Sequence, residues 1–429
     1  MNEEMRGVPR RSEQMRGVPR RSVFDTLKER GFVSQCSNEE GLRTLLDTEQ
    51  VTLYIGFDPT AESLHIGHLQ QLMFMAHLQR AGHRPIALVG GGTTRIGDPT
   101  GRTESRKILP VETIAANAGL FRTQISRFLD FSEGRALMLD NAEWLAPLNY
   151  IEFLRDIGVH FSVNRMLSFE TYKMRMETGL SFIEFNYQIL QSYDYLVLFR
   201  RHGCRLQMGG DDQWGNIVAG MDLIRRVEGV EAFALTSPLI TRSDGKKMGK
   251  SEGGALFLAP HLVTPYEFYQ FWVNVPDADV RQFFLRFTFL PVEEVTALCA
   301  AKDEKINDAK RRLAVEITAL VHGAGAAKEA EEASRAAFET GGPGDLSGVP
   351  SRELPRSEME NGMGVVDLFV RSGLCATKSD ARRLITQGGA YVGRRNVTDI
   401  AAKISAEAAE DGVILLRAGK KRYFRIILS

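Results

Sequence analysis

From Val51 onward the chain repeats one local order: a short β-prone run, one or more glycines, then a stretch of helical periodicity. Val51–Gly56 leads to Leu64–Leu78. Pro85–Val89 runs into Gly90, Gly91 and Gly92, and Cys204–Met208 runs into Gly209 and Gly210 ahead of Asn216–Val227. Ala115–Phe128, Tyr150–Ile157 and Phe182–Tyr195 share the helical spacing, while Phe233–Leu235 and Ala255–Leu258 are shorter strand candidates. Strands separated by helices pair in parallel, so the order predicts an α/β fold on a parallel sheet, with ligands at the carboxyl ends of its strands.

The texture changes after Pro265. Tyr266–Asn274, Ala278–Phe287, Val292–Leu298, Ala309–Val321 and Ala326–Phe338 read as helices with no strand between them, and Gly341–Pro355 is rich in Gly, Pro and Ser, as linkers are. Beyond it, helices at Val365–Ser372 and Ser379–Gln387 precede short β segments near Ala390–Val392, Gly412–Leu416 and Tyr423–Ile427. The expected division is a disordered arm 1–22 with a tandem MRGVPRRS repeat, an α/β domain 23–258, a helical domain 259–340, a linker 341–361 and a small α+β module 362–429.

Charge sharpens this division. The 429 residues balance 54 Lys plus Arg against 54 Asp plus Glu, yet Gly362–Ser429 alone holds 12 basic and 6 acidic residues. A basic module on a mildly acidic body fits a polyanionic partner at the tail. No run of eighteen apolar residues exists and the N-terminus is polar, so neither a spanning helix nor a secretory signal is expected. Cys36, Cys204, Cys299 and Cys375 lie far apart, without structural-zinc spacing, as reduced thiols of a cytoplasmic protein would.

Tyr54-Ile-Gly-Phe-Asp-Pro-Thr-Ala-Glu-Ser-Leu-His-Ile-Gly-His68 is the densest chemical signal. Gly56 follows a strand, Pro59 and Thr60 turn the chain, and His65 and His68 fall three apart, on one face of a helical first turn, with Gly67 leaving room for a base or phosphate. Imidazoles at a helix N-terminus suit a transferring phosphate, because free amides and the dipole act there too. A zinc pair would need further ligands that no neighbouring Cys or His supplies, and incidental surface histidines are the other reading. Downstream, Ser243-Asp-Gly-Lys-Lys-Met-Gly-Lys-Ser-Glu-Gly253 sets Lys246, Lys247 and Lys250 on a glycine-bounded loop. Alone it is equally a solvated basic turn, and it lacks the P-loop order.

Taken together, Asp58-Pro-Thr-Ala, His65-Ile-Gly-His68 and Lys247-Met-Gly-Lys-Ser251 resemble the paired signatures of the class I aminoacyl-tRNA synthetases. Phe182-x-Glu-Phe-x-Tyr-x-x-Leu-Gln-x-Tyr-Asp194 and Gly209-Gly-x-Asp-Gln-Trp-Gly-Asn216 narrow the resemblance to the bacterial-type tyrosyl branch, from about Val23 to Ser429. That resemblance implies a Rossmann-like catalytic domain with a dimerisation segment around Ala115–Phe161, a helical anticodon-binding domain and an S-four-like RNA-binding module. It implies activation of L-tyrosine with ATP and Mg2+ arriving together, transfer of tyrosyl to tRNA(Tyr), and a homodimer, with no metal held by the protein itself.

Carried over residue by residue, Tyr54 and Asp194 would bind the phenolic hydroxyl, and Tyr187, Gln191 and Asp98 the ammonium group. Tyr187, Gln191 and Asp194 stand at i, i+4 and i+7, one face of a helix. By the same resemblance Gln213 and Asn141 would belong to that pocket. Gly56, Asp58, Gly210 and Asp212 would meet the nucleotide, and Thr60, His65, His68, Lys247 and Lys250 would stabilise the transition state. Lys378, Arg382 and Arg383 would face RNA backbone. Asp211 departs from the branch's serine, a carboxylate unfavourable near triphosphate unless it faces away or meets a cation. The rival readings are the tryptophanyl branch and a non-catalytic RNA-binding or splicing protein on the same fold.

Overall fold

The computed structural model describes residues 22–100, 109–241, 243, 250–251, 254–300, 306–339, 349–419 and 422–429, with the backbone alone at 170, 171, 250, 251 and 337–339. Residues 1–21 of the repeated arm, Lys246 and Lys247 lie outside these residues.

Six strands form the main sheet: β1 (Gln35–Cys36), β2 (Thr52–Phe57), β3 (Arg84–Val89), β4 (Leu137–Asp140), β5 (Cys204–Gly210) and β6 (Phe233–Ser237). Their order is β1-β6-β5-β2-β3-β4. All neighbours are parallel except β1, which runs antiparallel to β6 and departs from the all-parallel expectation. The five parallel strands have the doubly wound Rossmann order, and the chain reverses direction across the sheet between β2 and β5. Helices leaving the two strands diverge there, so a crevice opens at their carboxyl ends.

Two strands escape the periodicity. Leu137–Asp140 has no β-branched residue, so its Leu-Met-Leu run carries no strand signal. Gln35–Cys36 is too short to show alternation. Ala255–Leu258 was expected as a strand, but only Gly254–Ala255 pairs, with Lys250–Ser251. Phe257 instead bridges His65, while Leu256 O accepts from Ile66 N at 3.0 Å and Leu258 N donates to Leu64 O at 2.8 Å. The exit of the lysine loop is thereby stitched to the histidine turn.

The helix Ile66–Arg80 is buried over nearly every position from Leu72 to Leu78, as a helix packed on both sides must be. Phe182–His202 begins at a Ser181–Glu184 capping box and stops at Gly203, whose φ of +63° favours glycine. It runs a further seven residues past the expected Tyr195 because Leu196–Phe199 continue its apolar packing. Helices Pro265–Val273, Val280–Phe287, Val292–Cys299, Ile306–His322 and Ala324–Glu339 follow. Their Phe268, Trp272 and Phe283 share one apolar cluster with Phe32 and Phe74 of the sheet region.

A separate cluster around Leu368, Phe369, Ile385, Leu416 and Ile426 forms the core of the C-terminal module. Its five-stranded sheet includes Arg395–Val397, absent from the expectation, and Ser351–Leu354, which lies in the stretch expected as linker. Ser351–Leu354 pairs in parallel with Arg422–Leu428, so pairing with a distant strand gives an extended, exposed segment its structure.

Candidate active site

The switch point between β2 and β5 opens into a cavity of about 350 Å³ lined by Tyr54, Asp58, Thr60, His65, His68, Asp98, Asn141, Tyr187, Gln191, Asp194, Asp212 and Gln213, with Gly56 and Gly210 in its wall. β2 delivers Tyr54 and Gly56, β5 delivers Gly210, and the helix Phe182–His202 sends Tyr187, Gln191 and Asp194 in from one face. A side chain at Gly56 would meet nothing within 4 Å, so the backbone there is open to close approach by a ligand.

The deepest part is apolar-walled but polar-tipped. Tyr54 is 1% exposed, packs at 5.3 Å from Tyr195, and its hydroxyl is buried without a hydrogen-bond partner in the protein. Beside it Asp194 is 2% exposed. Its two carboxylate oxygens accept from Trp144 Nε1 at 2.7 Å and Asn141 Nδ2 at 2.9 Å. Burial pushes the Asp194 carboxyl up to about 8, against the pull of those two donors. Burial likewise raises the Tyr54 phenol.

From Asp194 a hydrogen-bond chain runs to the other end of the cavity. Asn141 Nδ2 also donates to Thr93 Oγ1 at 3.0 Å, Thr93 donates to Asp58 Oδ1 at 2.7 Å, and Tyr187 donates to Asp58 Oδ2 at 2.9 Å. A second chain is built on Asp98, which accepts from Gln213 Nε2 at 2.7 Å and Thr100 N at 2.9 Å, with Asn216 donating to Gln213 Oε1 at 3.2 Å. Gln191 Oε1 is buried without a partner. Burial and the neighbouring Asp98 raise the Asp212 carboxyl.

The histidines differ from the expected arrangement. His65 precedes the helix as its N-cap, with extended backbone at φ −125°, so the pair does not share a helical face. Instead they form a capping box: His65 Nδ1 accepts from Gly67 N at 3.0 Å and His68 Nδ1 accepts from His65 N at 3.1 Å. The rings stack with centroids 3.9 Å apart. Because each Nδ1 accepts, each imidazole carries its proton on Nε2, and burial lowers the His65 pKa so that the ring is neutral. Gly67 lines the cavity, and a Cβ there would stand 2.8 Å from His65 Cε1, so glycine is also what lets the His65 ring lie against the first turn.

Thr60 sits in the turn after β2, where its N donates to Asp58 O at 2.8 Å. Lys250 lies in the strand Lys250–Ser251, its side chain outside the described residues. Ser243, just before the loop, is held by Asp279, which accepts from Ser243 N at 3.1 Å and Oγ at 3.2 Å. On the helix Lys378–Thr386, Arg382 is exposed, while Lys378 pairs with Asp367 at 2.7 Å and Arg383 with Asp380 at 2.9 Å. Among the described residues no three His, Cys, Asp or Glu side chains gather as they would around an ion.

Sequence reasoning missed Trp144 and Thr93. Trp144 stands three residues after Asn141 on the short helix Ala142–Leu145, a spacing that places both donors on the same carboxylate. Asp211 turns out to face away from the cavity: Thr236 Oγ1, Ser34 Oγ and Gln35 Nε2 donate to it at 2.6, 2.7 and 3.4 Å, tying the end of β5 to the antiparallel edge. Asp211→Ala is expected to lower stability by about 1–2 kcal/mol through these lost bonds. A melting curve would check this loss.

Residues 46–339 match the family of tRNA synthetases class I (W and Y), and residues 345–426 match the tyrosine--tRNA ligase SYY-like C-terminal domain. The tyrosine--tRNA ligase of Acetivibrio thermocellus is 52% identical over 407 residues, covering 95% of this chain and 99% of that one. That of Caldanaerobacter subterraneus is 53% identical over 408 residues, covering 95% and 100%. The crystal structure of a C-terminally truncated Aspergillus nidulans mitochondrial tyrosyl-tRNA synthetase superposes with a TM-score of 0.68 at 30% identity, over 74% of this chain and 95% of that one. With a doubly wound sheet, a cavity at its switch point and this identity along nearly the whole length, the chain belongs to the bacterial-type tyrosine--tRNA ligases, within the class I aminoacyl-tRNA synthetases.

Proposed function

We propose that the cavity between β2 and β5 is where this ligase activates L-tyrosine with ATP, and that its residues divide the work by position. The observation that carries this reading is the buried, unpartnered Tyr54 hydroxyl next to a carboxylate held by Trp144 and Asn141. A phenolic hydroxyl entering there would accept from Tyr54 and donate to Asp194, satisfying groups that otherwise cost desolvation energy. Tyr187, Gln191 and Asp98 would take the ammonium group, with Gln213 orienting Asp98.

The tyrosine carboxylate then attacks the α-phosphorus of ATP. A carboxylate–phosphorus bond forms, the bond to the bridging oxygen breaks, and pyrophosphate leaves with the electron pair. Neutral His65 and His68 suit this step, since Nε2–H groups donate to phosphate oxygens without giving up a proton, and the dipole of the helix adds positive potential at that end. Thr60 stands at the same turn, and Lys247 and Lys250 would close from the loop. Gly56 and Gly210 admit the nucleotide and Asp212 would meet the ribose, while Asp58 holds Thr93 and Tyr187 in place. Magnesium would come chelated to ATP, supplying charge neutralisation on the phosphates.

In the second step a ribose hydroxyl of the terminal adenosine of tRNA(Tyr) attacks the adenylate carbonyl and AMP leaves. The helices of 259–340 would meet the anticodon, and the module 362–429, joined through 341–361, would meet RNA backbone through Lys378, Arg382 and Arg383. Exposed Tyr150, Ile151, Val159 and Phe182, between 55% and 72% accessible, support a homodimer face. No described helix is long and apolar enough to cross a membrane, and the four cysteines are unpaired, which supports a cytoplasmic enzyme.

Amino-acid-dependent ATP–pyrophosphate exchange tests the reading. Tyrosine should drive exchange, while phenylalanine and tryptophan should not. Tyr54→Phe should raise the tyrosine KM by about tenfold, the worth of one hydrogen bond to a buried polar group, and narrow the gap to phenylalanine. Exchange driven by tryptophan, or a Tyr54→Phe variant with unchanged discrimination, would overturn it.

A further inference from the structure

The first turn of the helix Phe182–His202 is held by two charges that lie outside the cavity. Arg175 and Glu184 are 1% and 4% exposed. Arg175 Nη2 donates to the Glu184 carboxylate oxygens at 3.2 and 3.1 Å and to Gly179 O at 3.0 Å, while Nη1 donates to Thr178 Oγ1 at 2.6 Å. Glu184 accepts also from Ser181 N at 3.1 Å and Ser181 Oγ at 2.8 Å, closing the capping box. Gly179 takes φ +99°, so the turn into the helix is sharp and its carbonyl is pinned by the same guanidinium. Tyr172, on the helix Glu170–Thr178 with Arg175, donates to Phe185 O at 3.1 Å.

Stability alone is a weak reason to bury such a pair. Desolvating two charges offsets their attraction, and apolar residues of similar volume often hold a fold equally well. A forked guanidinium does what apolar packing does not: it fixes a carboxylate and two further acceptors in one plane and direction. Glu184 stands three residues before Tyr187 and seven before Gln191, on the same side of the helix. A tilt of the first turn therefore displaces the Tyr187 hydroxyl from Asp58, now 2.9 Å away, and the groups meant for the ammonium move with it.

We propose that Arg175 and Glu184 are positioning residues for tyrosine binding, setting the entry angle of the helix that carries Tyr187, Gln191 and Asp194. This rests on the reading of that helix as the tyrosine-binding one. The test is tyrosine-dependent pyrophosphate exchange by the full chain, comparing wild type with the double variant R175M/E184Q. Glutamine keeps the Ser-x-x-Gln cap, methionine fills volume, and no unpaired charge remains. The double variant should melt within about 3 °C of wild type. Its tyrosine KM should rise about tenfold while kcat and the KM for ATP stay within about twofold.

A folded double variant with the wild-type tyrosine KM overturns the proposal, as does an equal rise in both KM values. Should the double variant fail to fold, Ser181→Ala decides, because it removes only the cap hydroxyl. A tyrosine KM raised about threefold with ATP unaffected supports the proposal, and an unchanged one overturns it. Tyr187→Phe and Gln191→Ala are run alongside. If these leave the tyrosine KM unchanged, the site reading itself has failed; if they raise it while the clamp variants do not, only the clamp has.

Discussion

Asp194→Asn is expected to lower kcat/KM for tyrosine by about 10³-fold or more while leaving the KM for ATP within about twofold. Both carboxylate oxygens already accept, one from Trp144 Nε1 and one from Asn141 Nδ2. An asparagine must turn its NH2 toward one of those donors, so a buried donor faces a donor and the acceptor meant for the phenol is lost. Pyrophosphate exchange at varied tyrosine reads this directly, and a loss under tenfold would show that the phenol is bound elsewhere. The same group makes the unliganded protein pH-sensitive. Burial raises the Asp194 carboxyl to about 8, above the roughly 3.9 of an unfolded chain. The folded chain then holds a proton that the unfolded chain releases between about pH 4 and pH 8, so this contribution falls as pH rises and is fully lost above about pH 8. Wild type should melt at progressively lower temperature from about pH 5 to pH 8, and Asp194→Asn with a flatter slope. Parallel slopes would assign the ionisation to other groups.

Local chemistry made part of this site legible. Gly56, Pro59 and the spaced histidines punctuate the turn after β2, and Tyr187, Gln191 and Asp194 announce a shared helical face by spacing alone. What stayed hidden depends on partners distant in sequence. His65 is an N-cap rather than a first-turn residue in a setting where its strand-like backbone bridges Phe257, nearly two hundred positions away. Leu137–Asp140 becomes a strand by pairing with β3, although its composition favours neither state strongly. Asp211 read as an electrostatic liability, because nothing in its neighbourhood reveals the three donors brought by Ser34, Gln35 and Thr236. Spacing along a helix or turn is visible in one dimension; hydrogen bonds across a sheet are not.

Arg30 follows the same rule, and its loss should produce the largest change in stability. It is 5% exposed and follows the helix Val23–Glu29, yet its guanidinium serves a region more than 250 residues away. Nη1 donates to Leu285 O and Thr288 O at 3.0 Å each, and Nη2 donates to Leu290 O. Leu285 O and Thr288 O stand at the end of the helix Val280–Phe287, where the helix has no donors of its own and its dipole favours a cation, and Leu290 O lies just beyond it. Burial lowers the Arg30 pKa, but a guanidinium keeps its proton, so the charge is present and must be used. Around it Phe32 stacks on Phe74 at 5.1 Å and Arg80 lies 4.2 Å over Phe289, closing the seam between the sheet and the helices that follow it. Arg30→Ala leaves three carbonyls without this donor and a cavity at that seam, an expected loss of about 3–5 kcal/mol. That corresponds to a fall in melting temperature of roughly 5 °C. Arg30→Lys should lose about half as much, since one ammonium keeps the charge but cannot reach all three acceptors in the plane of the fork. Calorimetry of the three proteins separates the cases: equal losses in both variants would mean that geometry alone matters, and an unchanged lysine variant would mean that charge at the helix end is sufficient.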